Sequence, residues 1–401
     1  MTSPAPITPR YDAVVVGAGI VGLAVARELL HRRPDSRIVV VEQAADVAAH
    51  QTGHNSGVIH GGIYYQPGSL KARLCVEGAR LMYDYCAEHK IPHERSGKLI
   101  VARDAQELGR LDELERRGLA NQVPGLRRID GAEIAEIEPH AVGAAALHAP
   151  NTGIVDYAQV ARAIRAELEG QGVEFRFGEQ VREVDETGGV RTATARLRAD
   201  RVVVCAGLWA DRLARSCGAE ANPRIVPFRG AYLRLARTEN PVVRGMIYPV
   251  PDPDLPFLGV HLTRHLDGLV SLGPTAMLVG ARDAYRLGRV RGRDLAETLS
   301  WPGTWRVARQ YWRTGLGEIA TAASRRRFVA AAAEYVPGLG VGDLDGTVHA
   351  GVRAQAVDRD GTLVDDFVIS EHGVTGFVRN APSPAATSAF ALARELVDRL
   401  G

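Results

Sequence analysis

The sequence predicts an α/β protein of two domains: a βαβ-type domain that is discontinuous along the chain, and a second α+β domain built on a mainly antiparallel sheet. Three features predict it. A buried strand, a glycine turn, a helix and another buried strand follow one another at the start; amphipathic helix and buried strand resume after residue 151; and a Pro- and Gly-dense, β-rich tract fills residues 223–274. Length agrees, because 401 residues exceed what one ordinary core accommodates.

Taken in order, residues 1–9 are rich in Pro, Thr and Ser and read as a disordered tail. Ala13–Val16 is continuously apolar, as a strand covered on both faces requires. Val21–Leu30 reads as a helix before Pro34 breaks it, and Arg37–Val41 is the next buried strand. Lys98–Ala102 (strand) and Asp104–Arg117 (charged amphipathic helix) belong to the second domain, assigned residues 94–150 and 216–335. The first domain takes 10–93, 151–215 and 336–401. Tyr157–Gln171 reads as helix, Val173–Phe177 as strand, Arg191–Leu197 as an alternating strand and Arg201–Val204 as a buried one. Ala231–Leu235 and Leu269–Leu272 read as strands of a pocket wall, Asp294–Tyr335 as mostly helical, and Val364–Ser370 and Gly376–Val378 as strands. Pro384–Leu400 reads as a terminal helix, with Ser383 as N-cap and Pro384 in the first turn.

Composition narrows the partner. The net charge is +2, with 49 basic against 47 acidic residues, so no electrostatic footprint for nucleic acid exists and a small-molecule partner is expected. Nearly all basic residues are Arg, with lysine only at Lys71, Lys90 and Lys98, which reads as compositional bias rather than a binding design. Cys75, Cys86, Cys205 and Cys217 form no CxxC pair and no metal-ligand spacing, so no metal is expected and a reduced, cytoplasmic compartment fits. The apolar stretch Ala13–Ala26 carries three glycines and is shorter than the roughly 20 residues of a spanning helix.

Gly17-Ala18-Gly19-Ile20-Val21-Gly22 is a GxGxxG that follows a hydrophobic strand and opens a helix, the context that makes the motif informative. Gly17 permits the tight turn, Gly19 the approach of a pyrophosphate, and Gly22 close helix–strand packing, while the N–H groups from Ile20 onward face the phosphates. Glu42, twenty residues beyond Gly22 and followed by Gln43, suits the adenosine ribose hydroxyls. These features define a Rossmann-like dinucleotide domain. Val203–Gly207, ending in Ala206-Gly207, looks like the second nucleotide-contacting segment of two-domain flavoproteins, and Val181 occupies the place where such proteins touch adenine. Asn380-Ala381-Pro382-Ser383-Pro384 leads into the last helix, whose N-terminus would stabilise an anionic reduced flavin. Three separated segments converging on one cofactor point to FAD.

The run from His50 through Tyr65, continuing Pro67 to Cys75, closely resembles the L-2-hydroxyglutarate dehydrogenases and oxidases, members of the larger glycine oxidase/D-amino-acid oxidase-like FAD superfamily. The similarity recurs in Arg224–Gly230, Ile247–Pro251, Pro256–His261, Gly351–Gln355 and Asn380–Ser388, in order and across both domains. It implies FAD-dependent oxidation of L-2-hydroxyglutarate to 2-oxoglutarate, with quinone or oxygen as electron acceptor. By the same resemblance, Arg353 grips the substrate carboxylate, for which its planar fork is suited. His60 and His261 are the candidate bases, imidazole being the side chain that titrates near neutrality. Thr52, His54, Asn55 and Ser56 are expected on cofactor phosphate or ribitol oxygens, and Arg229 and Tyr248 around the distal carboxylate. Trp301, Trp305, Tyr311 and Trp312, interleaved with arginines, read either as core packing or as an interfacial face reaching membrane quinone at the inner side of the cell membrane. Two other functions stay open from the residues: a related FAD-dependent 2-hydroxy-acid or amino-acid oxidase, and a nucleotide-binding module without redox chemistry.

Overall fold

The computed structural model describes residues 10–237, 241–255 and 257–400; the tail expected over 1–9 lies outside them. Arg10–Val16 is flanked by two parallel neighbours, Ile38–Val41 and Arg196–Val204. Alternate residues of this strand enter different cores. Ala13 and Val15 pack with Leu23, Val40 and Val203 under the helices Ile20–Arg32, Tyr157–Gly170 and Ala389–Leu400. Val14 and Val16 pack on the opposite face with Val39, Val41, Val202 and Leu213. Burial on both faces explains why its Ala13–Val16 stretch is uniformly apolar. Glu174–Arg176 extends the sheet beyond Ile38–Val41, and Thr375–Asn380 joins Arg196–Val204 in parallel, completing a mixed sheet of eight strands.

The second layer is a nine-stranded, mainly antiparallel sheet with one parallel pair, Lys98–Ala102 against Met246–Pro249. Its longest ladder joins Arg224–Leu235 to Leu344–Val357, with Phe228 opposite Arg353. Leu344–Val357 therefore belongs to this second sheet, and the chain returns to the first only after Val357, not at residue 336. One face packs Leu99, Val101, Ile247, Leu262 and Leu272 against Phe328 and Val329 of the helix Arg325–Ala333.

Three expected elements differ, each for a local reason. Arg191–Leu197 is not one strand: Gly189–Arg191 and Arg196–Val204 form a hairpin, because the Thr192 hydroxyl accepts the N–H groups of Thr194 and Ala195 and turns the chain. Val364–Ser370 is strand only from Val368; before it, the Asp366 carboxylate accepts the N–H groups of Leu70 and Lys71 at the start of the helix Leu70–Glu88, and Asp365 pairs with Lys71 Nζ at 2.7 Å. The terminal helix begins at Ala389, not Pro384, so Ser383 is not its N-cap: turns closed by the Ala385 N–H to the Pro382 carbonyl and the Ser388 N–H to the Pro384 carbonyl come first.

The layers are braced by charge. Arg282, 2% exposed, donates to Asp211 (2.9 Å at Oδ2) and to Glu297 (3.2 Å), while Arg212, beside Asp211 on the helix Ala210–Ser216, donates to Asp294 and Glu297. Burial pushes Asp211 up, but the hydrogen bonds and charge of Arg282 outweigh it and hold the carboxyl below its ordinary value. Arg282→Met leaves Asp211 buried without its partner and is expected to destabilise the protein by about 3–5 kcal/mol. Urea denaturation at pH 7 checks this. The pair's contribution is present above the unfolded carboxyl value and fades as pH falls through the lower folded one, so the difference between wild type and variant should shrink in acid.

Candidate active site

The glycine turn is built by close approach. Gly17 has φ +105°, and a Cβ there would lie 2.5 Å from the Cys205 carbonyl oxygen; a Cβ on Gly22 would lie 2.0 Å from the Gly17 oxygen. Only glycine lets the helix start so near the ends of two parallel strands. Glu42, 8% exposed, accepts the N–H groups of Ala18 and Ala44, each at 2.8 Å, which fixes the carboxylate beside the turn with acceptor capacity to spare. Thr52 Oγ1 accepts the Ile20 N–H at 3.0 Å. Gly207, φ +49°, begins the short turn Gly207–Trp209 directly after Ala206.

These groups line one elongated cavity of about 960 Å³, reaching from Glu42, Gln43 and Val181 past Gly17 and Gly19 to His60, Tyr232 and Arg353. That volume lies at the top of the range of about 300–1,000 Å³ for ligand sites and suits an extended dinucleotide rather than a small metabolite alone. His54, Asn55, Ser56, Ala206, Gly207, Pro382, Ser383 and Pro384 also line it. The Asn55 amide donates to the Thr52 carbonyl at 2.6 Å while its Oδ1 accepts the Gly57 N–H, so its side chain shapes the loop. His54 donates from Nδ1 to the His50 carbonyl and stacks on Tyr285 at 4.0 Å.

At the far end, His60 is pinned from outside its ring: its N–H donates to Thr387 Oγ1 (3.1 Å), and its carbonyl accepts from the Cys75 thiol (3.4 Å). Thr387, 1% exposed, also bonds Tyr157 Oη at 3.0 Å and thereby ties the loop to the turn before the last helix. Burial, then the charges of Lys98, His261 and Lys71, push His60 well below its ordinary value. Behind it, Lys98, Tyr248 and His261 lie side by side on three neighbouring strands. His261 stacks on Tyr248 at 3.8 Å, and its Nδ1 donates to the Gly259 carbonyl at 3.0 Å, which leaves Nε2 as a free acceptor. Burial pushes His261 down to about 3, with Lys98 and Arg353 adding to the fall against the Gly259 hydrogen bond. Arg353 is exposed to the cavity, into which its side chain opens, with the guanidinium over Phe257 at 4.7 Å.

Four expected site residues are not among those lining the cavity. Arg229 alternates with Phe228 and Gly230 and projects from the sheet face opposite Arg353, its Nη2 3.5 Å from the Tyr285 carbonyl; it is not among the cavity's lining residues. Asn380 turns its amide to the Val364 and Asp366 carbonyls. His261 and Tyr248 are not among the cavity's lining residues; His261 lies beside it, within electrostatic reach of Arg353, which does line it. Sequence reasoning missed Tyr232, Phe257 and Thr387, which line the cavity, and Lys98 beside it. Lys98 carried a signal, a lone lysine inside an apolar strand of an arginine-rich chain; the others carried none until the sheets paired.

Fold and cavity together define a class: an oxidoreductase that holds an extended dinucleotide between a βαβ sheet and a substrate sheet. The chain belongs to the FAD dependent oxidoreductase family DAO, whose model matches residues 12–399, so the cradle is an FAD site. It is 46% identical to the mitochondrial L-2-hydroxyglutarate dehydrogenase of Nematostella vectensis, over 97% of this chain and 90% of the relative. With the L-2-hydroxyglutarate dehydrogenase of Indibacter alkaliphilus it shares 42% identity, over 95% and 96%. Among solved structures it is similar in fold to the L-alpha-glycerophosphate oxidase of Mycoplasma pneumoniae with FAD bound (TM-score 0.77, 24% identity, 98% and 95% covered). Glycine oxidase from Geobacillus kaustophilus is also similar (TM-score 0.71, 18% identity, 98% and 95%).

Gly17→Val places a β-branched side chain at positive φ against the Cys205 carbonyl, and is expected to yield protein without flavin. The visible flavin absorbance per chain after desalting checks this; stoichiometric flavin would overturn the assignment of the turn.

Proposed function

We propose that this protein oxidises L-2-hydroxyglutarate to 2-oxoglutarate. The observation that carries the reading is a pair of cations at the end of the FAD cradle, Arg353 open to the cavity and Lys98 buried beside it, both acting on a histidine whose Nε2 is free. The identity shared with L-2-hydroxyglutarate dehydrogenases over nearly the whole chain supports it. Arg353 holds the C1 carboxylate by its fork and so fixes how C2 is presented. His261 takes the hydroxyl proton at Nε2, the Gly259 carbonyl holding the tautomer that leaves this nitrogen bare. In the free enzyme burial, helped by the neighbouring cations, keeps His261 neutral; a dianionic substrate offsets those charges and raises its basicity as it binds. His60 lies on the loop at the cavity end and orients the substrate hydroxyl. FAD, when bound, accepts the C2 hydride.

Electrons then pass to a quinone or to oxygen. No helix among the described residues is long and apolar enough to cross a membrane. Trp301 is buried and donates to the Val357 carbonyl, whereas Trp305, Trp312, Leu316 and Ile319 are all more than half exposed, and Arg313 covers the Trp312 ring. That face supports peripheral contact with a membrane from the cytoplasmic side and favours quinone. Wild type is expected to co-sediment with vesicles of mixed neutral and anionic lipid, and Trp312→Glu/Ile319→Glu to remain in the supernatant with flavin reduction intact.

Anaerobic flavin bleaching tests the reaction. L-2-hydroxyglutarate should bleach the holoenzyme far faster than the D enantiomer or lactate; equal rates with lactate contradict the reading. In the same rapid-reaction experiment His261→Ala should slow reduction at saturation by about 100- to 10,000-fold, the usual contribution of a positioned base. A near-normal rate, with FAD content matched, moves the base elsewhere.

A further inference from the structure

Lys98 is 2% exposed and lies in the middle of the second sheet, between Met246–Pro249 and Ala145–Ala149. Its ammonium sits 4.0 Å from the Tyr248 ring centre and 5.3 Å from that of Tyr64. Among the described residues it has no ion pair and no hydrogen bond. The charged or titratable groups that face it are Tyr64 on the His60 loop, Tyr248 and His261 on neighbouring strands, His60 itself, and Cys75 on the helix Leu70–Glu88; none is a carboxylate. The contrast with Lys71 is direct, since that lysine, also buried, is paired with Asp365 at 2.7 Å. A buried cation without a counter-ion is costly, and two aromatic faces compensate only in part. Arg353, open to the cavity, is a second cation with no ion pair to an acid among the described residues, and both act on His261 from within electrostatic reach.

We propose that Lys98 is the specificity residue for the distal carboxylate, binding C5 of the dicarboxylic substrate while Arg353 binds C1. This rests on the reaction proposed above. The two cations then set substrate length: a monocarboxylic 2-hydroxy acid leaves Lys98 buried and unpaired, which penalises it against the dicarboxylate. Burial lowers Lys98 to about 7, so the free enzyme holds it partly neutral, and a bound carboxylate restores the proton. The sign follows: binding is strongest below about pH 7 and weakens as the free ammonium is lost above it.

The test uses holoenzyme of matched FAD content titrated with glutarate and with pentanoate, which lack the reactive hydroxyl, followed by the shift of the flavin spectrum. Lys98→Met is expected to lose on the order of 100-fold in glutarate affinity, the scale of truncating a buried charge pair, and most of the preference over pentanoate. Lys98→Arg, always charged, should keep that preference and lose the weakening above pH 7. In turnover, Lys98→Met should raise KM for L-2-hydroxyglutarate far more than it lowers kcat. An unchanged glutarate-to-pentanoate ratio in Lys98→Met overturns the proposal. So does a collapse of flavin reduction at saturation with that ratio intact, which would make Lys98 the base. Wild type that binds glutarate through Lys98 but is not reduced by L-2-hydroxyglutarate would instead refute the proposed reaction and leave the dicarboxylate site standing.

Discussion

The turn between the first strand and the first helix is pressed against the end of Arg196–Val204, with no room for a side chain on Gly17 or Gly22. Everything at the cofactor end follows from that contact. The Gly17 N–H is taken by the Val41 carbonyl and the Cys205 N–H by the Val16 carbonyl, so the three parallel strands end together and their carboxyl ends form one rim. In an open α/β sheet that rim is where a ligand binds, and the helix that starts there presents its N–H groups to phosphate. Glu42 and Ala206-Gly207 occupy the rim because they terminate the two flanking strands.

The second sheet contributes something of a different kind, an electrostatic chamber short of anions. Asp365 and Asp366 are engaged at the start of the helix Leu70–Glu88, and Asp211, Asp294 and Glu297 are used in bracing the layers. With the nearby acids committed to structure, Arg353 and Lys98 keep unspent charge beside His261. A neutral histidine between two cations is a poor site for water-borne protons and a good one for a dianion, since the substrate itself supplies the missing negative charge. Stability of the scaffold and reactivity of the chamber are thus separated by where the carboxylates were placed.

Much of the cofactor half was legible in the sequence because its determinants are local. Ala13–Val16, the glycine spacing and Glu42 fall within one βαβ unit, where position along the chain fixes position in space. Boundaries failed where a side chain intervened: Thr192 folded an alternating run into a hairpin, and Asp366 drew residues 364–367 away from the sheet. The terminal helix started late because hydrogen-bonded turns, Ala385 to Pro382 and Ser388 to Pro384, occupy the residues before Ala389. Arg229 and Arg353 looked equivalent along the chain, and only the alternation of paired strands, with Arg353 opposite Phe228, sends them to opposite faces.

By itself the sequence determined the dinucleotide fold, the FAD cradle and the two-domain plan, and through its motifs the reaction class, because these depend on spacing within short segments and on the chemistry of single residues. Only the tertiary structure decided which charges remain free. Whether a lysine is a paired structural cation, like Lys71, or an open one, like Lys98, depends on whether a carboxylate some 294 residues away along the chain lies within hydrogen-bond reach, and Asp365 reaches only the first. That is a property of how the two sheets and the helix between them are packed, which no local pattern encodes.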